Sequence, residues 1–283
     1  MNAALWGVVG VLLMAVHPTH AASQWVEPPG RGWASLSAYH QDTRESYDLT
    51  GERGDFPGNG HAVASQTFLT IAWGLATGVD VWGQFSFQRL QFDDLTGRST
   101  SMGPGDVRLY VRVSPLRLLG LGFPVAVRGG VKVPVGDFDV GSSVIPLGDG
   151  QRDWELMLEV GHSFYPAPLY VAGWVGYRWR EPRDGGRVDY GDERFFYASA
   201  GGTAVVVDFK VSLEGWYGAT PVFNAVLAEG AEREMLRLNP SLLFAVGPGQ
   251  LEVGARWPLS GRNLPAGTDL VLGYFLRLRG SGS

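Results

Sequence analysis

The chain has 283 residues, no cysteine and a formal net charge of −5. The absence of cysteine excludes disulfides, thiolate metal ligands and a lipoprotein anchor. Charged residues make up 18% of the chain, whereas aromatic residues make up 12% and glycine occurs 41 times. Soluble domains carry about 25% charged residues, so this composition is atypical of a soluble enzyme. The negative net charge gives no electrostatic basis for nucleic acid as a partner.

The first 21 residues have the organisation of a secretory signal peptide. An apolar run over 5–16 ends before Pro18, and Thr19 and Ala21 place small residues at the positions that determine cleavage. The run is too short for a transmembrane helix. We therefore predict a signal peptide over 1–21, although residues 1–4 lack the usual Lys or Arg; an uncleaved N-terminal anchor is the alternative. No later stretch reaches 18 apolar residues, which excludes a helical membrane protein.

Polar and apolar residues alternate with a period of two along most of the remaining chain. Between residues 106 and 114, Val107, Leu109, Val111 and Val113 share one face, and Asp106, Arg108, Tyr110, Arg112 and Ser114 share the other. This is the period of a β-strand. The pattern recurs at about 125–133, 153–160, 169–180, 209–217, 251–257 and 269–279, and more weakly at 32–41, 62–74, 79–91, 194–202 and 234–246. It predicts about twelve strands, with a bulge or break at Pro240 because proline lacks a ladder donor.

The predicted connections alternate in length. Short ones lie at about 75–78, 115–121, 164–168, 203–206 and 247–250, and longer polar ones at about 42–61, 92–104, 135–151, 181–193, 218–233 and 260–268. Short periplasmic turns and longer external loops are typical of outer-membrane barrels. We therefore predict an all-β fold, a closed antiparallel transmembrane β-barrel of about twelve strands over 32–279. Residues 22–31 would form a periplasmic N-terminal segment that could plug the barrel mouth.

The faces of the predicted strands favour a barrel over a soluble β-sandwich. Twelve apolar faces exceed what one sandwich core of this size would absorb, whereas in a membrane they contact lipid. The predicted location is the outer membrane of a Gram-negative cell, after signal-peptide export. The predicted partners are outer-membrane lipid, lipopolysaccharide, the barrel-assembly machinery and a small-molecule solute. We expect interfacial aromatic girdles from Trp33, Trp73, Trp154, Tyr177, Trp179, Tyr217 and Trp257.

The polar faces supply the candidate site, because they would line the lumen. The predicted lumen-lining residues are Arg108, Tyr110, Arg112, Arg128, Lys132, Glu155, Glu159, Trp174, Arg178, Lys210, Glu214, Trp216, Arg237, Glu252 and Arg256. One interpretation is a charged constriction that filters solutes, with a residual positive wall formed by Arg108, Arg112, Arg128 and Lys132 on two neighbouring strands. The other is a structural network of salt bridges. Tyr110, Trp174 and Trp216 could stack against an aromatic solute or simply fill volume.

Several segments together carry a family resemblance. They are 103–109 (GPGDVRL), 130–137 (GVKVPVGD), 147–154 (LGDGQRDW), 161–164 (GHSF) and 176–180 (GYRWR). In order and spacing this series resembles the "MetA-pathway of phenol degradation" family of outer-membrane transporters, over about 60–280. Val135 departs from the family's usual threonine, and the end of the chain lacks the terminal aromatic residue used in assembly. The resemblance implies a channel or transporter for small solutes, with aromatic or apolar molecules as candidates.

Two other classes of function remain as alternatives. An outer-membrane lipid-modifying enzyme would need a nucleophile and a base. His40 and His61 flank the first long loop near Ser35, Ser37 and Ser65, while His162 adjoins a predicted periplasmic turn. No Gly-x-Ser-x-Gly or HExxH motif occurs, so we expect no enzymatic activity, no metal site and no cofactor. The remaining alternative is a filled structural or adhesive barrel.

Overall fold

A computed structural model describes residues 26–121, 123–135, 147–148, 150–204 and 207–280; the predicted signal peptide and residues 22–25 lie outside this part of the chain. The main sheet has twelve barrel strands, one of them in two parts. They are β1 (Arg31–Thr43), β2 (His61–Ala76), β3 (Val79–Asp94), β4 (Gly97–Pro104 and Val107–Val113), β5 (Val125–Val133), β6 (Asp153–Ser163), β7 (Leu169–Arg180), β8 (Glu193–Ala204), β9 (Val207–Gly218), β10 (Glu234–Val246), β11 (Gly249–Arg262) and β12 (Asp269–Arg279).

The sheet is closed. Each strand pairs antiparallel with its neighbours in sequence, and β1 also pairs with β12, from Arg31–Arg279 to Gln41–Asp269. Closure pairs the described wall strands on both sides, so the ladder can satisfy the backbone groups of a spanning sheet; the first part of β4, Gly97–Pro104, pairs with β3 alone. The prediction of a closed antiparallel barrel of about twelve strands is confirmed. None of the helices in the described residues is long and apolar enough to span a membrane.

Two predicted connections differ from the structure. Residues 92–104 form a hairpin rather than a loop, because β3 continues to Asp94 and β4 begins at Gly97. The carboxylate of Asp94 accepts a hydrogen bond of 2.7 Å from the Thr96 N–H and closes this turn. The polar composition of this segment indicated a loop, but the residues belong to two paired strands. The other difference is at 115–121, where a one-turn helix, α1 (Pro115–Leu118), lies within the predicted short turn.

Besides register shifts at Gly74/Ala76 and Leu236/Arg237, two irregularities bear on the site and on the predicted break. The β4 ladder with β3 ends at Phe87–Pro104 and resumes at Gln84–Arg108, which leaves a bulge between the two parts of β4. At the predicted break, Pro240 is level with Val211 of β9. On its other side, the ladder with β11 runs from Leu238–Trp257 to Ser241–Gly254 without a pair at Pro240. A missing N–H donor accounts for this gap.

The alternation of faces follows the predicted register. Leu109 and Val111 are 49% and 50% exposed on the outside, whereas the next residue, Arg112, is completely buried on the inside. Trp73, Trp154, Tyr177, Trp179, Tyr217 and Trp257 occupy outward positions of their strands. Trp33 does not, and its assignment to a girdle is wrong. It shares the inward face of β1 with Ser35 and contacts Trp82 edge-on at 4.8 Å.

Loop residues cover the external end of the barrel. Glu45–Tyr47, Arg53–Asp55 and Leu264–Pro265 form one small sheet. Val188–Asp189, Val222–Phe223 and Val226–Leu227 form another. Under the first sheet, Tyr47, Met235 and Ala266 make a buried apolar cluster that also contacts Trp216 and Leu264. The external mouth is thus built from packed loop residues.

Arginine at Leu109 should destabilise the folded barrel by about 2–4 kcal/mol, because a charge near the bilayer midplane loses its hydration. The matched control is Leu95→Arg, since Leu95 lies in the exposed turn between β3 and β4. Folding titrations in lipid vesicles measure both. Equal stability of the two variants would contradict the assignment of Leu109 to the lipid-facing side.

Candidate functional site

The inward side chains of β3–β8 form a network of ion pairs. Its centre is the Arg112 guanidinium, which lies 2.6 Å from Asp80 and 3.2 Å from Glu159. The side chains of Arg112 and Asp80 are fully buried. Glu159 also binds Arg128, with its oxygen 2.7 Å from Nε. A lone buried charge is very costly, so this cluster requires both signs in place.

The network extends toward the external end. The Lys132 ammonium lies 2.7 Å from Asp153 and 3.2 Å from Asp106. The bulge in β4 contributes the second of these carboxylates. The Arg178 guanidinium binds Glu155 at 2.7 Å and also binds Glu193. In this half of the barrel the cations Arg108, Arg112, Arg128, Lys132, Arg178 and Arg180 are matched in number by the carboxylates Asp80, Asp106, Asp153, Glu155, Glu159 and Glu193.

Aromatic rings fill the space between these charges. The Arg128 guanidinium lies 4.6 Å from the ring centre of Trp82, 5.1 Å from Tyr110 and 5.4 Å from Trp174. The Tyr110 hydroxyl donates a hydrogen bond of 2.7 Å to Glu155. Gly130 permits this packing, because a Cβ there would lie 2.2 Å from the Tyr110 ring. Cations, carboxylates and rings together occupy this side of the lumen.

The expected residual positive wall is wrong. Arg112, Arg128 and Lys132 each contact one or two carboxylates. Arg108 lies 3.8 Å from Glu155 and donates a hydrogen bond to Gln84. The partners come from strands that are not all adjacent, as in Arg112 of β4 and Glu159 of β6. For this half of the barrel, the interpretation as a structural network of salt bridges fits the geometry.

The open space lies on the other side of the lumen, along β7–β12 and β1. A cavity of about 320 Å³ is present there. Its polar lining consists largely of hydroxyl and amide groups, namely Ser35, Ser37, Tyr39, Tyr170, Tyr197, Ser199, Ser212, Asn239, Ser241 and Gln250. Of the predicted lumen-lining residues, Trp174, Lys210, Glu214, Glu252 and Arg256 border this cavity. We call it the lumen cavity.

The charged groups of the lumen cavity are also paired. Lys210 lies 2.7 Å from Glu252, and Arg256 lies 2.9 Å from Asp269. The Arg256 guanidinium also covers the Tyr39 ring at 3.9 Å. Arg237 is within 3.9 Å of Glu214 and Asp269. The cavity therefore presents neutral hydroxyls, amides and rings between compensated charges.

Two predicted aromatic surfaces differ in their surroundings. Trp174 borders the lumen cavity and stacks on Tyr197, with ring centres 4.0 Å apart and planes at 13°. Trp216 also lies on an inward face but packs into the apolar cluster at the external mouth. Only the first of the two rings is placed against the open volume.

The start of the described chain enters the periplasmic mouth. Val26 and Glu27 are buried. The Glu27 N–H donates a hydrogen bond of 2.8 Å to Asp80, and its carboxylate accepts one of 3.0 Å from Arg277. Arg117 donates to the carbonyl of Val26 at 2.7 Å. Burial raises the pKa of the Glu27 carboxyl, and Arg277 partly opposes that shift. Residues 26–28 thus narrow the mouth, and residues 22–25 of the predicted segment 22–31 lie outside the described residues.

Several interior residues were missed by sequence analysis. Asp80 and Trp82 belong to the central cluster, yet their strand was among the weakly alternating ones. A signal was present, because the even positions from Asp80 to Gln88 are polar or aromatic and the intervening odd positions are largely apolar. Asp153 and Glu193 were also missed; they lie at strand ends, next to predicted loops.

The residues considered for an enzyme lie on different sides of the wall. Ser35 and Ser37 face the lumen cavity. His40 and Ser65 form an exposed pair, with Nδ1 and Oγ 2.9 Å apart. Ser65 is paired on both sides in the sheet, so the local backbone N–H groups are committed to the ladder rather than grouped around an oxyanion site. In the described part of the chain, no three metal-ligating side chains come together.

Comparison with known proteins supports the fold. No family model matches the sequence, and no curated protein matches significantly; the resemblance to the phenol-degradation family therefore stays a prediction. The structure resembles the COG4313 outer membrane channel from Pseudomonas putida F1, with a TM-score of 0.72 and 13% identity over 91% of this chain and 98% of that chain. The β domain of the Bordetella autotransporter BrkA gives 0.52 and 11% identity over 88% and 100%. The NanC porin gives 0.50 and 10% over 86% and 100%. These likenesses show an outer-membrane β-barrel fold.

Arg112→Ala should reduce the free energy of unfolding by about 3–5 kcal/mol, because it leaves the buried Asp80 carboxylate without a cation and Glu159 with Arg128 alone. Arg53→Ala is the control, since Arg53 forms an exposed pair with Glu45 and such pairs contribute about 1 kcal/mol or less. Urea titrations of refolded protein provide the measurement. A mild effect at Arg112, close to that at Arg53, would show that the network does not support the fold.

Proposed function

We propose that the protein is an outer-membrane channel for small solutes, aromatic or apolar ones among them, and that it is not an enzyme. The observation that carries this proposal is the division of the lumen. Paired ions and rings fill the side along β3–β6 and the external parts of β7 and β8, and the lumen cavity runs along β9–β12, β1 and the remaining parts of β7 and β8. A filled structural barrel would require packing on both sides. We propose that the lumen cavity is part of the solute's route.

The lining of the route favours neutral solutes over ions. Each charged side chain at the lumen cavity is within about 4 Å of an opposite charge, so little net field remains to attract a free ion. The stacked pair of Trp174 and Tyr197 adds an aromatic surface. Offset or edge contacts with such rings contribute about 0.5–1.5 kcal/mol beyond the burial of area. Aromatic solutes are thus compatible with this lining.

A second space for the solute lies between the loops and the external ends of the strands. A cavity of about 300 Å³ at the external rim is bordered by Tyr190, Phe223 and Arg233. The two aromatic rings meet edge-on, with centres 5.9 Å apart. A much larger depression of about 920 Å³ includes the exposed Leu109 and Val111. It belongs to the lipid-facing surface, and we therefore assign the solute route to the two smaller spaces.

Placing a large side chain in the lumen cavity should lower conductance. Ser212 faces the cavity, and the neighbouring Val211 faces outward. Ser212→Trp should reduce single-channel conductance in planar bilayers severalfold, while Val211→Trp, which adds the same ring on the lipid side, should conduct like the wild type. If wild-type protein never conducts, or if the two variants behave alike, the proposed route is wrong.

Releasing the segment at the periplasmic mouth should have the opposite effect. Glu27→Ala removes the carboxylate that binds Arg277 and should raise the conductance or the frequency of open events. Glu229→Ala, at an exposed loop position, is the control with the same loss of charge. Single-channel recordings compare the three proteins. An unchanged conductance in Glu27→Ala would indicate that residues 26–28 do not limit passage.

A further inference from the structure

Three polar atoms in the lumen cavity have no hydrogen-bond partner among the described residues. They are Trp33 Nε1, Asn239 Oδ1 and Gln250 Oε1. The three side chains are 6%, 8% and 8% exposed, respectively, and all three border the cavity. An unsatisfied buried polar atom costs about 1–3 kcal/mol. Groups that complete these hydrogen bonds are therefore expected in the cavity during function.

A contact with Asp208 determines which end of the Gln250 amide is free. Gln250 Nε2 donates a hydrogen bond of 2.7 Å to the Asp208 carboxylate. An ionised carboxylate only accepts hydrogen bonds, so the nitrogen must face Asp208 and the oxygen is left over. Asn239 Nδ2 lies 3.3 Å from the Ser212 hydroxyl and donates to it, and Asn239 Oδ1 has no partner among the described residues. The lumen cavity thus has two amide oxygens that can accept hydrogen bonds from a solute.

The two acceptors lie at different heights in the barrel: Asn239 is the upper one, nearer the external end, and Gln250 is the lower one. The pairs Leu238–Trp257 and Ser241–Gly254 place Asn239 level with residue 256 of β11. Gln250 is on β11, six residues from position 256 toward the periplasmic end, which corresponds to about 20 Å along the strand. Near Gln250, its cross-strand partner Phe275 lies 5.4 Å from the ring of Trp33. The free indole N–H of Trp33 thus lies on the same part of the wall as Gln250.

Hydroxyl groups surround the upper acceptor. Ser199 and Ser212 are level with Asn239 on the two preceding strands, and Ser241 follows on the same face of β10. A hydroxyl can both donate and accept. This environment suits a solute with several hydroxyl groups of its own. The stacked rings of Trp174 and Tyr197 are on the same wall and provide a flat apolar surface.

We infer that the lumen cavity binds small neutral ring compounds carrying two or more hydroxyl groups, at two successive stations. At the upper station the Asn239 oxygen accepts a solute hydroxyl. At the lower station the Gln250 oxygen accepts a hydroxyl, and the Trp33 N–H donates to a solute oxygen. This inference rests on the proposed channel function for the direction of passage, but binding itself does not require conduction.

The test measures binding by saturation-transfer NMR on refolded protein in detergent. Catechol and xylose represent the aromatic and the sugar forms of this chemistry, and 1,2-dimethoxybenzene is the ring without donors. Wild-type protein should bind catechol, xylose or both more tightly than the dimethoxy compound. Asn239→Leu and Gln250→Met should each weaken binding, by up to about tenfold for one lost hydrogen bond. The double variant should bind the hydroxylated solutes no better than the dimethoxy compound.

Gln66→Met is the matched control, because Gln66 faces the interior on β2 and bonds Gln88 rather than the lumen cavity. It should bind like the wild type. Should Asn239→Leu fail to show heat-modifiable folding, Gln250→Met and Trp33→Phe test the lower station alone, and each should weaken binding severalfold. Equal binding of the dimethoxy compound, or wild-type affinity in the variants, would overturn the inference.

Conductance separates this inference from the channel proposal. If the wild-type protein binds catechol or xylose as described but never conducts, the two binding stations are supported and the proposed channel function is wrong. If the protein conducts and responds to Ser212→Trp, yet does not distinguish solutes by their hydroxyl groups, the channel function is supported and the two binding stations are wrong. Binding of catechol without xylose assigns the site to aromatic diols, and the reverse result assigns it to sugars.

Discussion

The central constraint on this structure is that charged side chains inside a narrow closed sheet must be neutralised by one another. In a strand, neighbouring side chains point to opposite faces, so a residue of the barrel wall contacts either lipid or the interior. A charge cannot move outward without meeting hydrocarbon. Arg112 and Asp80 have no exposed side-chain surface, and their mutual contact with Glu159 nearby offsets the loss of hydration. The register of β3, β4 and β6 must bring these three residues together.

This pairing also decides which part of the lumen is open. The ion pairs of β3–β8 are separated by aromatic rings rather than by free volume, with Arg128 in contact with Trp82, Tyr110 and Trp174. Glycines such as Gly130 let these rings lie against the wall. On the other strands, serines at 35, 37, 212 and 241 stand on the inward face between paired charges and rings. Small side chains leave space, so the asymmetry of composition becomes an asymmetry of packing.

The strands and their faces could be predicted because they depend on local alternation. The segment from Val107 to Val113 is an example, since its register follows from parity alone. The partners of each charge could not be predicted in this way. Arg112 and Glu159 are 47 positions apart, and their contact depends on the registers of two intervening ladders. Trp33 was placed on the wrong face because its aromatic character outweighed the serines at 35 and 37, which share its parity.

The hairpin at 92–104 shows a related limit. Its polar residues indicated a loop, but the backbone continues as β-structure beyond the apolar band, where both faces can meet water. Composition reports the surroundings of a segment, and backbone conformation is decided by its pairing partner. The same argument applies to the lumen. Its charges, prominent in the sequence, are engaged with one another, whereas the inconspicuous amides Asn239 and Gln250 keep an unsatisfied oxygen. Solute recognition in such a barrel therefore depends less on the number of charges than on the polar groups left over once those charges are paired.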